Sequence, residues 1–271
     1  MRLTFGNLSL ECVSRGGDRT WFRLQPPGVA FDVGRGSTRL AGVKNIFVTH
    51  GHLDHLLGLP FVLSYRARHG GGGTRIGCPR PIAEELSRWL EGAARLEASE
   101  YDYELIPMDP GDRIELEAGL AIEAFATDHV VPSLGYHLIR TRKRLAQQYR
   151  ELPRSELARL RAEGAELEEA RQEDWVSYCG DTTVEVLRRE PRLLSSRILI
   201  LECTFLAPEH RDRAGLYGHV HVDDLAEFAE RFANESLVLC HLSRRHSVAE
   251  LKAAVEQRLA PIADRVEYAV E

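Results

Sequence analysis

Apolar positions along the chain follow two periods. Short runs rich in β-branched or aromatic residues, bounded by Gly, Pro or Asp, recur at 1–5, 29–33, 44–49, 120–127, 134–139, 197–202 and 237–240. Each reads as a strand. Between some of them the spacing changes to that of one helix face, at 81–96, 223–233 and 248–259. The last of these opens on Ser247 with Glu250 three positions on, a capping-box pattern. Strands and helices mixed in this order predict an α/β sandwich.

Two stretches break the rhythm. Residues 70–73 are four consecutive glycines, which predict a flexible loop near the candidate site described below. Residues 141–175 are charged and helix-prone, with eight basic and eight acidic residues. The basic ones crowd its start, at Arg142, Lys143, Arg144 and Arg150, and Leu157, Leu160 and Leu167 can form an apolar stripe. This stretch reads as a solvated helical insertion or as a substrate-contacting arm. No repeat or linker divides the rest, so one domain is expected over 1–271.

Composition narrows the function classes. With 35 basic and 41 acidic residues the net charge is −6, which excludes a general nucleic-acid coat but not a local basic patch. The five cysteines, Cys12, Cys78, Cys179, Cys203 and Cys240, are scattered and form no C-x-x-C pair. Buried reduced thiols are expected rather than a disulfide framework or cysteine zinc site. Residues 1–10 lack a charged-then-apolar leader, and no apolar run approaches the ~20 residues that span a bilayer. A cytoplasmic protein without a membrane partner is expected.

Chemistry concentrates in Thr49-His50-Gly51-His52-Leu53-Asp54-His55. A strand-like run leads into it and a helix-like run, 56–65, follows. Imidazole nitrogens and a carboxylate converging on one strand-to-helix turn suit zinc, manganese or iron. One turn cannot complete two coordination shells, so partners are expected at other strand ends. His129 after 120–127, Asp181 in Tyr-Cys-Gly-Asp-Thr-Thr, and His241 after 237–240 occupy such places.

The pattern His50-x-His52-x-Asp54-His55 resembles the signature of the metallo-β-lactamase superfamily. Further motifs resemble those of ribonuclease Z, the tRNA 3′-processing endonuclease. They are Phe31-Asp32-Val33-Gly34, His129 followed by Ser133-Leu134-Gly135-Tyr136, Gly180-Asp181-Thr182, Glu202-Cys203-Thr204-Phe205 and Cys240-His241-Leu242-Ser243-Arg244-Arg245. They stand in family order from about residue 29 to 247. The resemblance implies a four-layer αβ/βα sandwich, a pair of divalent ions, most simply zinc, and phosphodiester hydrolysis. It implies that His50, His52 and His129 hold one ion, that Asp54, His55 and His241 hold the other, and that Asp181 bridges them. Asp54 would also orient the attacking water. A histidine supported by Glu202 would protonate the leaving group. His219 fits the family spacing counted back from His241, whereas His221 reads as a polar loop residue.

The sequence departs from the family at 1–6, which lack its glycine-rich start, and no long Gly/Pro-rich basic arm is evident. The substrate implied is thus precursor tRNA or a smaller phosphodiester. Arg140, Arg142, Lys143, Arg144, Arg244 and Arg245 are the cations available to its phosphates. A hydrolase of lactones, thioesters or aryl sulfates is the second reading, against which the motifs at 133–136 and 240–245 weigh. A non-catalytic binding module conflicts with a complete set of seven ligands. A di-iron oxidoreductase finds no G-x-G-x-x-G after a strand to support it. The family resemblance also implies a homodimer, for which an apolar face near 56–65 is available.

Overall fold

The structure of the protein is a computed structural model that describes residues 1–117 and 119–270. The described residues form two seven-stranded sheets, each of whose strands lie in chain order. The first contains β1 (Arg2–Phe5), β2 (Leu8–Arg15), β3 (Arg19–Gln25), β4 (Val29–Phe31), β5 (Asn45–Phe47), β6 (Thr74–Pro79) and β7 (Tyr103–Met108). The second contains β8 (Arg113–Glu115), β9 (Leu120–Ala126), β10 (Leu134–Leu145), β11 (Glu168–Tyr178), β12 (Ile198–Glu202), β13 (Ser236–Cys240) and β14 (Val266–Tyr268). In both, hairpin-linked antiparallel strands come first. Parallel strands follow, from β4 to β7 and from β11 to β14.

Side-chain alternation explains the layers. In β12, Ile198 and Ile200 face the first sheet, whereas Leu199 and Leu201 face helices; in β13, Val238 and Cys240 alternate in the same way with Leu237 and Leu239. Strands covered on both faces need apolar residues at every position, which is why these runs are continuous. Phe31, Phe47, Tyr136 and Tyr178 fill the space between the sheets as a cluster of rings. Outside the first sheet lie α1 (Leu53–Leu56), α2 (Leu59–Arg68) and α3 (Ala83–Leu96), with Leu56, Leu59, Val62, Leu86 and Leu90 buried against it. Outside the second lie α5 (Val186–Arg189), α7 (Val222–Leu225) and α8 (Val248–Arg258), with α6 (Arg211–Tyr217) between β12 and α7 in the chain. The order helix, sheet, sheet, helix is the four-layer sandwich expected. Ser247 caps α8 through the expected box, its Oγ accepting from Glu250 N at 3.2 Å.

Three expectations change. Residues 141–175 begin and end as strand: β10 and β11 run on as a hairpin pairing Leu145 with Glu168, and between them lie a 3-10 turn (Gln147–Tyr149) and α4 (Arg154–Ala162). Backbone pairing carried outward from a buried sheet overrides the local preference of charged residues. The stretch 223–233 holds only the short α7 and a single 3-10 turn. The glycine run lies before the amino end of β6, while His50 follows the carboxyl end of the parallel neighbour β5, so it is at the end of the sheet remote from the candidate site. All five cysteines are buried. No helix among the described residues is long and apolar enough to cross a membrane.

Candidate metal centre and acid pair

Each ligand candidate stands where a strand ends. β5 delivers Thr49 and His50, and α1 starts immediately after His52, so Asp54 and His55 sit on its first turn. Behind them lies Asp32, wholly buried just after β4 with a left-handed φ of 54°. Its carboxylate accepts from Thr49 N at 2.8 Å, Tyr178 OH at 2.9 Å and His55 Nδ1 at 2.8 Å. A histidine that gives one N–H to a carboxylate presents its other nitrogen as a lone pair. Asp32 therefore aims His55 Nε2 at the site.

The second sheet supplies the other side. His129 follows β9 and donates from Nδ1 to the Gly218 carbonyl at 2.9 Å. Asp181 follows β11. Glu202 and Cys240 are register partners at the ends of β12 and β13, which places Glu202 beside His241. His241 has a left-handed φ of 58°, its N–H bonds Ser14 Oγ at 2.9 Å, and its Nδ1 meets Thr204 Oγ1 at 3.0 Å. Backbone strain at such a residue is sustained only when its surroundings fix it.

All seven sequence candidates converge. Ligand atoms of His50, His52, His129 and Asp181 lie within 4.8 Å of one another, as do those of Asp54, His55 and His241. Asp181 reaches both groups, with Oδ2 3.7 Å from His50 Nε2 and 3.3 Å from His241 Nε2. Nitrogens also face nitrogens: His52 Nδ1 is 3.3 Å from His129 Nε2, and His55 Nε2 is 3.4 Å from His241 Nε2. His50 Nε2 and Asp181 Oδ1 are buried without a hydrogen-bond partner. Lone pairs converging on one space, two of them buried and unsatisfied, are costly unless a cation joins them. The donor set thus fits divalent metal ions.

The charge states of His50, Asp54 and Asp181 agree with this. At His55, burial is outweighed by Asp181 and Asp32, which hold it well above its ordinary range, so that a bound cation would displace its proton. Burial, joined by the charge of His55, holds the His50 imidazole well below its ordinary range. Burial opposes ionisation of Asp181, but His241 and His55 outweigh it and hold the carboxyl well below the usual carboxylate range. Burial acts the same way on Asp54, and the hydrogen bond from His241 and the charge of His55 bring it down to about 2. Deprotonated carboxylates and neutral imidazoles are the forms that bind metal.

Beside this cluster stands the second predicted pair. His219 Nδ1 lies 2.8 Å from Glu202 Oε1, and its ring is 5.3 Å from those of both His129 and His241. Glu202 is wholly buried and also accepts from Thr182 N at 2.9 Å, Val220 N at 3.2 Å and the Thr204 hydroxyl. Burial alone would lower the pKa of His219; the Glu202 carboxylate overcomes it and raises it to about 9. His221 stands in the loop before α7. It is buried, its Nε2 meets the Ala207 carbonyl at 3.0 Å, and its Nδ1 accepts from Asp223 N at 3.2 Å as the cap of α7. With both nitrogens occupied it cannot serve the site.

Residues 26–242 match the family of the Beta-lactamase superfamily domain. The tRNase Z TRZ1 of Arabidopsis thaliana is 31% identical over 264 residues, covering 95% of this chain and 93% of its own. The chain belongs to the tRNase Z family of the metallo-β-lactamase superfamily. Chloroplastic tRNase Z TRZ2 of the same plant is also 31% identical, over 95% of this chain and 74% of its own. Among solved structures, the metallo-β-lactamase fold protein YhfI of Bacillus subtilis superposes with a TM-score of 0.63 at 14% identity, covering 95% of this chain and 93% of its own. The short form of human tRNase Z gives 0.60 at 18%, covering 87% and 93%. Those two likenesses concern the fold. Membership and donor set together make the chain a metal-dependent hydrolase of this family.

Residues behind the ligands escaped the sequence reading. Asp32 was visible only as part of a strand motif. Thr204 was likewise visible only as part of the motif Glu202-Cys203-Thr204-Phe205. Ser14 and Gly218 carried no signal, because a hydroxyl or carbonyl that orients a histidine from a distant segment leaves no local pattern.

Proposed function

We propose that the protein is a zinc-dependent phosphodiesterase that cuts precursor tRNA at its 3′ side. The observation that carries this reading is the buried His219–Glu202 pair beside the ligand cluster, because a ribose 3′-oxygen leaves poorly without a proton. The names of the 31% identical relatives point to the same substrate.

His50, His52 and His129 would hold one ion, Asp54, His55 and His241 the other, and Asp181 both. Ions bound there supply Lewis acidity to the phosphate and lower the pKa of water towards neutrality. Zinc suits imidazole and carboxylate donors in this ratio. Asp54 accepts a hydrogen bond from the attacking water and orients it. The water oxygen bonds phosphorus and loses a proton, the P–O3′ bond breaks, and His219 gives its Nε2 proton to O3′. Glu202 holds the resulting imidazole in place until it is reprotonated.

Arg244 and Arg245, exposed directly after His241, and Arg142, Arg144 and Arg171 along the hairpin are the cations offered to tRNA phosphates. Phe61, 47% exposed on α2 beside Tyr65, is the apolar face offered to a second copy of the chain. The reducing cytoplasm suits five buried cysteines. The decisive assay adds zinc or manganese and follows a 3′-extended precursor tRNA and bis(p-nitrophenyl) phosphate. Cleavage of the RNA once, at the 3′ end, supports the reading; turnover of neither compound ends it. Light scattering reads the dimer.

A further inference from the structure

We propose that a cavity beside the metal centre is the subsite for the nucleoside that keeps the scissile phosphate, attached through its 5′-oxygen. This rests on the phosphodiesterase reading above. The cavity holds about 300 Å³, and its walls include Gly17, Arg35, His52, Leu53, Asp54 and Leu57. Ligand pockets start at about this volume, and one nucleoside is of matching size.

Its chemistry is that of a nucleoside site. Leu53 and Leu57 are 61% and 45% exposed. They lie four residues apart, on one face of the helical turn that carries Asp54. A single exposed leucine is ordinary. Two side by side at a reacting centre form an apolar floor on which a base can lie. Across from them Arg35 pairs with Asp18, and this ion pair presents donors and acceptors together at the rim. The wall is joined to the centre, since Gly17 N–H donates to Asp54 Oδ2 at 3.0 Å.

Topology decides which nucleoside. Every named wall residue comes from the first 57 positions, whereas His219 and Glu202 come from the second sheet and its loops. The acid pair marks the side from which the 3′-oxygen leaves. The retained ester exits elsewhere, and the cavity adjoining His52 and Asp54 receives it. The partner class is therefore a 5′-linked nucleoside, not a 3′-linked one.

Three p-nitrophenyl phosphodiesters separate the alternatives, because p-nitrophenolate leaves from each without needing an acid. They are thymidine 5′-(p-nitrophenyl phosphate), its 3′ isomer and methyl p-nitrophenyl phosphate. The 5′ ester should show a KM about tenfold below the methyl ester, the scale of burying part of one leucine. The 3′ isomer should show no such gain. In Leu53→Ser and Arg35→Ala the 5′-to-methyl ratio should fall towards one, with melting temperatures near that of the parent because both side chains are exposed. Equal KM values, a preference for the 3′ isomer, or an unchanged ratio in both variants would overturn the assignment. Calorimetry of the metal-loaded protein reads the cavity without turnover: thymidine 5′-phosphate should bind about tenfold more tightly than the 3′-phosphate, and Leu53→Ser should erase the difference. If no ester reacted, the hydrolase reading would fall, and the calorimetric preference would still decide the subsite.

Discussion

Replacing His219 by alanine separates proton donation from every other task of the centre. In the parent, Glu202 accepts from four donors: His219 Nδ1, Thr182 N, Val220 N and the Thr204 hydroxyl. The variant keeps the last three, so the buried carboxylate stays largely satisfied and the fold should lose about 1–3 kcal/mol. The seven metal-ligand candidates are untouched, so metal content should not change. Cleavage of 3′-extended precursor tRNA should slow by about 10²–10⁴, equivalent to about 3–5 kcal/mol in the barrier. Bis(p-nitrophenyl) phosphate expels a stable phenolate, so its turnover should fall by less than about tenfold. Single-turnover RNA cleavage, steady-state phenolate release, elemental analysis and a thermal melt together read all four quantities. Equal losses on both substrates, at unchanged metal content, would show that His219 is not the acid.

Three further outcomes follow from groups outside the ligand set. Asp32→Asn removes the charge behind His55 and should weaken metal binding by about 10–100-fold in competition with a chromogenic chelator; unchanged affinity would mean that His55 needs no orienter. At Gly218, φ is +69° and an added Cβ would sit 2.9 Å from His129 Nδ1 and 3.2 Å from the His129 backbone. Gly218→Ala should therefore displace both His129 and the neighbouring acid, lowering RNA cleavage at least tenfold with loss of metal, whereas a parent-like crystal structure and rate would refute the argument. His137 is buried against Phe125 with Nδ1 2.7 Å from Ser177 Oγ, and burial with the charge of Arg192 lowers its pKa to about 4. The folded chain therefore stays unprotonated where the unfolded chain takes up a proton. The stability from His137 is complete above the ordinary pKa near 6.5 and is lost as pH falls towards 4, in all about 3 kcal/mol. Urea titrations at pH 7 and 4.5 should show the parent losing roughly 2–3 kcal/mol more than His137→Leu across that interval, and parallel curves would contradict the assignment.

The ligand set was legible because its chemistry is local. Four donors crowd six positions at His50–His55; of the remaining three, His241 closes the apolar run Leu237–Cys240, His129 follows a strand interrupted by Glu123, and Asp181 stands in the motif Gly180-Asp181-Thr182. The α/β sandwich was legible from the mixed strands and helices and its four layers from the family resemblance; the apolar runs Ile198–Leu201 and Leu237–Cys240, covered on both faces, agree with them. The hairpin of β10 and β11 was hidden. Beyond Arg140 its residues are mainly charged, and the pairing that makes them strand lies on a partner about 30 residues away. β2 and β3 were missed because their pairing with each other, with β1 and with β4, not their composition, sets their faces. Glu11, buried in β2, interrupts the apolar alternation while meeting Arg23 and Arg39. The glycine run misled because proximity in sequence to His55 does not fix which end of a sheet a loop occupies.

Chain order within the sheets has a consequence for synthesis. On the ribosome, residues 1–108 can lay down an entire sheet with its helices, yet they carry only His50, His52, Asp54 and His55. His241 emerges some 130 residues later, so a half-made chain displays part of a metal trap and no acid. On the proposed reading, a nascent polypeptide that stalls before His219 and His241 lacks both the proton donor and the last ligand, so it should not cleave RNA.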